Sequence, residues 1–178
     1  MFLCLTILKK QGEEMKVKDL AKISIIAALY IILTVVLGFE VASGPIQFRI
    51  AEVLVLLAFY NKNYIYGITL GCLISNIYLS GNPYDIIFGT FHSFISLLFI
   101  YLTRKKLGKN NKSLFISSLY PTIFSFIVGF ALYKGFDYPF IITTLQVMLS
   151  EFIIVTLIGF PLFLILNRNK EFIRIIEE

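Results

Sequence analysis

Long apolar runs alternate with short polar breaks along this chain. A transmembrane helix needs about 20 predominantly apolar residues. By that measure the pattern predicts six spans, over residues 19–38, 48–60, 64–79, 84–103, 114–133 and 140–166. The breaks between them carry the residues that end helices. Gly44-Pro45 stops the first run and leaves Glu40 to Gln47 as a non-helical connection. Asn61-Lys62-Asn63 and Ser80-Gly81-Asn82-Pro83 read as tight polar turns. Arg104 to Lys112 is the strongest charge run, and Lys134 to Pro139 forms the last connection. The second run is short, which predicts a helix that is tilted or begins below the membrane surface. Pro121 predicts a kink in the fifth run, and Gly159 with Pro161 a bend late in the sixth. From Asn167 onward the chain is amphipathic and charged. It carries no internal repeat of the kind that marks inverted-repeat transporters.

Composition agrees with that pattern. Hydrophobic residues make up 58% of the 178 residues and charged residues 15%, against roughly 45–50% and 25% in soluble domains. The expected fold class is therefore an all-α integral membrane protein, with residues 15–170 as a six-helix domain and no room for a soluble one. Residues 1–14 stand apart, because their apolar part is too short to span and no small-residue cleavage site follows. Lys10 to Met15 can be encoded by a purine-rich ribosome-binding stretch running into a start codon. Residues 1–14 are thus expected to be a wrongly assigned or disordered leader, with Met15 the true start. N-terminal sequencing of the native protein tests this, and intact residues 1–14 would refute it.

Charge adds an orientation. In a six-span layout, all of the 16 lysines and arginines except Arg49 and Lys134 fall on the side of the two termini. Cationic loops stay in the cytoplasm, so both termini, including the tail over residues 171–178, are expected there in a multi-pass cell-membrane protein. The net charge of +5 is then a topology signal and gives no reason to expect a nucleic-acid partner. The opposite half holds Glu40, Glu52, Asp85, Asp137 and Glu151 against Arg49 and Lys134. Such a balance suits a cationic or donor-rich solute and disfavours an anion. Cys4 and Cys72 give no disulfide framework, and the single histidine without a cysteine cluster argues against a bound metal.

The candidate chemistry sits mostly in that outer half. Arg49 and Glu52 are three residues apart, so a helix beginning near Phe48 would place them about a turn apart on one face. An ion pair at this depth is expensive. It either pins the Gly44-Pro45 loop or also faces a polar solute. Gln47 adjoins it, and Asn76 ends the third run. Asp85 and His92 share a face of the fourth run, with Phe88 beside them; His92 either contacts the solute or bonds a neighbouring helix. Gln146, Ser150 and Glu151 descend the sixth, where Glu151 is a solute contact, a helix–helix hydrogen bond or a protonated acid. The aromatics close by, Phe48, Tyr78, Tyr84, Phe88, Phe91 and Tyr138, are either interface anchors and packing or flat rings that, beside amides and carboxylates, suit a planar heterocycle stacked on its faces and hydrogen-bonded at its edges. The chain contains no phosphate-binding Gly-x-x-x-x-Gly-Lys-Ser/Thr motif and no Gly-x-Ser-x-Gly, which excludes ATP hydrolysis by this chain and makes it a poor candidate for an enzyme. In the first run Ala21, Ser24 and Ala28 share a face flanked by Ala27, a small-residue pattern that lets another helix approach. It serves either internal packing or a partner.

With these residues in view, the chain resembles the queuosine-precursor transporter (QueT) family. The match is carried by Gly44-Pro45-Ile46-Gln47-Phe48-Arg49-Ile50-Ala51-Glu52, by Leu70-Gly71-Cys72-Leu73-Ile74-Ser75-Asn76 and by Tyr84-Asp85-Ile86-Ile87-Phe88-Gly89. The resemblance implies a bundle like those of the substrate-binding S-components of energy-coupling factor (ECF) importers. It implies capture of 7-aminomethyl-7-deazaguanine or a related 7-deazaguanine, without a cofactor. It further implies partners: a transmembrane T-component and two cytoplasmic ATPase subunits. Ser24-x-x-x-Ala28, with Ala21 and Ala27 nearby, stands where the family class has alanines four apart on its docking helix. The alternative reading is a self-contained small-solute transporter without an ATPase module.

Overall fold

The computed structural model describes residues 17–37, 39–40 and 47–177, leaving aside the side chains of residues 18, 36, 37, 39, 40, 47 and 48. The leader reading for residues 1–14, with Met15 as start, and the Gly44-Pro45 break lie outside the described residues. Helix α1 spans Val17–Leu37. Strands β1 (Phe39–Glu40) and β2 (Gln47–Phe48) then pair antiparallel, Phe39 opposite Phe48 and Glu40 opposite Gln47. The two ends of the expected non-helical connection, Glu40 and Gln47, thus pair with each other. A 3-10 helix follows over Ile50–Phe59, and α2 over Asn63–Leu79. Helix α3 runs Pro83–Leu107, α4 Asn111–Phe136, α5 Phe140–Leu166 and α6 Lys170–Glu177.

Only α3, α4 and α5 are long and apolar enough to cross a membrane among the described residues. The expectation of six spans is corrected accordingly: this is an all-α membrane bundle with three such helices. At about 1.5 Å per residue, their 25, 26 and 27 residues exceed the hydrocarbon thickness of about 30 Å. Helix α2 has 17 residues and reaches only about 25 Å. Helix α1, 21 residues long, opens on Lys18, Asp19 and Lys22 and is not among the three. The expected second span is the clearest departure. Its ten residues form the 3-10 helix, and Ala51, Glu52 and Val55 to Phe59 are all buried. This helix touches α1, α2, α3, α4 and the middle of α5. A helix apolar on every side belongs to a protein core as readily as to lipid, and here neighbouring helices surround it.

The helices change character beside the prolines for which a kink and a bend were expected. Helix α4 is built of three pieces, Asn111–Ser118, Tyr120–Phe124 and Phe126–Phe136, with Pro121 opening the second. Helix α5 widens to a π-helix over Phe152–Gly159 just ahead of Pro161. Proline cannot donate back along the helix and crowds the carbonyl four residues earlier; the wider π turn relieves that clash. Gly159 sits where a Cβ would lie 3.3 Å from Leu56 Cδ1, so the π segment packs directly on the 3-10 helix.

One end of the bundle gathers the cations. Arg104 Nη2 and Lys109 Nζ both pair with Glu177 Oε1, at 3.0 and 2.8 Å. Arg104 also donates to Tyr60 O, Lys22 Nζ to Ile175 O, and Tyr60 Oη to Asn167 Oδ1. The start of α1 and the end of α6 therefore lie together, beside the foot of α3. At the other end, Asn82 caps α3 and donates to Gly135 O.

Candidate solute site

The site is assembled around the N-terminus of the 3-10 helix. Arg49 is its N-cap, in extended backbone, and Glu52 N donates to Arg49 O at 2.9 Å. The two side chains take different partners from neighbouring helices. Tyr30, fully buried on α1, donates its phenol to Glu52 Oε1 at 2.5 Å. Arg49 Nη1 donates to Asn76 Oδ1 of α2 at 2.9 Å. Burial works against the Arg49 charge, but Asp85 foremost, with Tyr30, Cys72 and Glu52, outweighs it and keeps the guanidinium firmly protonated.

Asn76 and Asp85 meet across Gly89. A Cβ on Gly89 would lie 2.9 Å from Asn76 Nδ2 and 3.6 Å from Asp85 Oδ1. Asp85 stands in the first turn of α3, where the helix dipole favours a carboxylate, and is buried. From Asn76 the polar chain continues inward. Its Nδ2 faces Cys72 Sγ and Thr90 Oγ1, and Cys72 Sγ lies 3.3 Å from Ser93 Oγ.

Helix α5 closes the cluster, because β2 packs on its first part. Glu151 is buried there, with the Glu52 and Arg49 charges acting on it. Among the described residues, three buried acceptors on these elements have no hydrogen-bond partner: Glu52 Oε2, Glu151 Oε2 and Gln146 Oε1. Buried polar atoms in folded proteins are nearly always satisfied. Leaving one carboxylate oxygen unpaired costs about 1–3 kcal/mol or more. Such a set has the chemistry of a receptor for a molecule rich in N–H donors.

Residues 20–168 match the family described as QueT transporter. The chain belongs to the QueT transporter family. It is 39% identical over 145 residues to a Lactococcus lactis subsp. cremoris (strain MG1363) protein named "Queuosine precursor transporter QueT", an alignment covering 77% of this chain and 85% of that protein. No solved structure matches. QueT members are transporters and not enzymes, and no group of three or more metal-ligating side chains occurs among the described residues.

The candidate residues named from the sequence converge in part. Arg49, Glu52, Asn76, Asp85 and Glu151 belong to the cluster, and Gln146 lies on the same helix as Glu151 with its Oε1 buried. Gln47 lies in β2, with its side chain outside the described residues. Phe88 turns toward α4, stacked on Tyr84 and edge-on to Phe130 at 5.3 Å. His92 Nε2 bonds Pro121 O at 2.9 Å, a helix–helix contact in which the histidine holds α3 to α4. Ser150 donates to Val147 O of its own helix, so its hydroxyl is already engaged. On α1, Ala21, Ser24 and Ala28 are exposed, whereas Ala27 is buried against α2. A Cβ on Gly71 would approach Ala27 O to 2.9 Å, so Ala27 serves internal packing and the outer face keeps the other three. Sequence reasoning missed Tyr30. Its signal was there: a lone tyrosine deep in an apolar helix, one turn beyond Ala27.

Proposed function

We propose that this chain captures a 7-deazaguanine precursor of queuosine, 7-aminomethyl-7-deazaguanine or a close relative, in the cluster around Arg49, Glu52, Asn76, Asp85, Gln146 and Glu151. The observation that carries the reading is the trio of buried, unpartnered acceptors on Glu52, Glu151 and Gln146. A guanine-like edge presents adjacent N–H donors that one carboxylate accepts in pairs, and a protonated aminomethyl group adds a charge that Asp85 suits. The name of the Lactococcus relative supports the same ligand class. In this reading the chain is the S-component of an ECF importer. A T-component docks on the Ala21, Ser24 and Ala28 face, and two ATPases supply the energy. The cation-rich end, where α1 starts and α6 ends, faces the cytoplasm.

Calorimetric titration of the purified protein tests the ligand. Binding of 7-aminomethyl-7-deazaguanine, with none of unrelated vitamins, is the expected result. Glu151→Gln should weaken it by about 1–3 kcal/mol, roughly fivefold to 150-fold. Absence of any deazapurine binding would overturn the assignment, and unchanged affinity in the variant would remove Glu151 from the site. Reconstitution with and without a T-component and ATPases separates the importer subunit from a self-contained transporter, which would show uptake by this chain alone.

A further inference from the structure

A cleft lies at the opposite, cation-rich end, remote from the Arg49 cluster. Its volume is about 300 Å³, and its lining includes Phe59, Lys109, Asn111, Asn167, Lys170 and Ile173. The charge there is not balanced. Arg104 and Lys109 share one carboxylate oxygen, Oε1 of Glu177. Lys170 has no carboxylate at ion-pair distance among the described residues, although it lines the same cleft. The amide nitrogens of Asn111 and Asn167 add neutral donors, since the Asn167 bond from Tyr60 uses only its oxygen. The first backbone N–H groups of α4 contribute little, because Asn110 and Ser113 already form a capping box there. Phe59 and Ile173 supply an apolar wall beneath the donors.

We propose that this cleft binds the phosphate of an anionic phospholipid headgroup. Three observations point to that occupant. The excess positive charge and free amide donors match phosphate oxygens. The apolar wall suits the glycerol and the roots of the acyl chains. The position does the rest: the cleft opens where α3 ends, α4 begins and α5 gives way to α6, the level at which spanning helices leave the hydrocarbon. Basic residues at that level attract anionic lipid with about 1 kcal/mol each, close to fivefold in affinity. A zwitterionic choline headgroup would bring its own cation against Lys109 and Lys170.

Native mass spectrometry of the protein released from nanodiscs of equal phosphatidylglycerol and phosphatidylcholine tests this. The wild type should retain phosphatidylglycerol in preference. Lys170→Gln leaves the Glu177 pairs untouched and should lower that retention by about fivefold; Lys109→Gln with Lys170→Gln should abolish the preference. Lys109→Arg with Lys170→Arg keeps the charge and should keep the lipid, which separates lost binding from lost folding. Equal retention of both lipids, or undiminished phosphatidylglycerol in the double Gln variant, would overturn the proposal. So would thermal stabilisation by millimolar inorganic phosphate alone with no further gain from phosphatidylglycerol, since the cleft would then read free phosphate.

Discussion

Tyr30→Phe removes a single hydroxyl and tests how the carboxylate at the centre of the cluster is held. The phenol donates to Glu52 Oε1 at 2.5 Å, and Glu52 Oε2 already lacks a partner. Without the hydroxyl, neither oxygen of a buried acid has a known donor from α1, while ring packing is nearly unchanged. Interhelical hydrogen bonds in membrane proteins average only about 0.6 kcal/mol. Bonds to a charged group are worth about 1.5–3 kcal/mol, and the carboxylate places this one in the second class. A loss of about 2 kcal/mol lowers the melting temperature of a chain of this size by roughly 4–8 °C. The assay is thermal unfolding of wild type, Tyr30→Phe, Glu52→Gln and the double variant in one detergent. With a neutral amide at position 52, Tyr30→Phe should cost only about 0.6 kcal/mol, so the cycle should show a coupling of about 1 kcal/mol or more. Equal costs in both backgrounds would refute the reasoning, because the carboxylate would then not be what the phenol stabilises.

Three further outcomes are expected. Gly71→Ala places a Cβ 2.9 Å from both Ala27 O and Tyr30 Cβ. It should destabilise by about 1–3 kcal/mol and also loosen the Tyr30–Glu52 bond; a melting curve unchanged from wild type would contradict that close approach. Glu177→Gln removes the carboxylate shared by Arg104 and Lys109, both part-exposed, so the loss should be about 1 kcal/mol or less; limited proteolysis should nevertheless cut the α6 end faster. Burial pushes the Tyr60 phenol up to about 12. The neutral form is therefore favoured in the folded state, and that contribution is complete below about pH 10 and lost as pH rises from there through the raised value. The stability gap between wild type and Tyr60→Phe should narrow over that alkaline window and stay constant below it.

Much of this protein could be read from its residues one segment at a time. The membrane class follows from composition, the turns from Asn61-Lys62-Asn63 and Asn82-Pro83, the break in α4 from Pro121 and the family from the motifs around Arg49, Asn76 and Asp85. These are local signals, fixed by hydropathy, by proline's missing N–H or by short strings of residues. The number of crossing helices was not such a signal. An apolar run reads alike whether lipid or protein surrounds it, and only packing shows that most of the 3-10 helix, Val55 to Phe59 above all, lies inside, ringed by other helices. The same limit applies to the site. Sequence could name Glu52, Glu151, Ser150 and His92 as polar residues in apolar surroundings, but not which would find partners. The fold gives His92 a carbonyl on α4 and Ser150 one on its own helix, and it leaves oxygens of Glu52 and Glu151 unfilled. Hydrogen bonding depends on which atoms meet across helices far apart in the chain, and that is decided only when the helices pack.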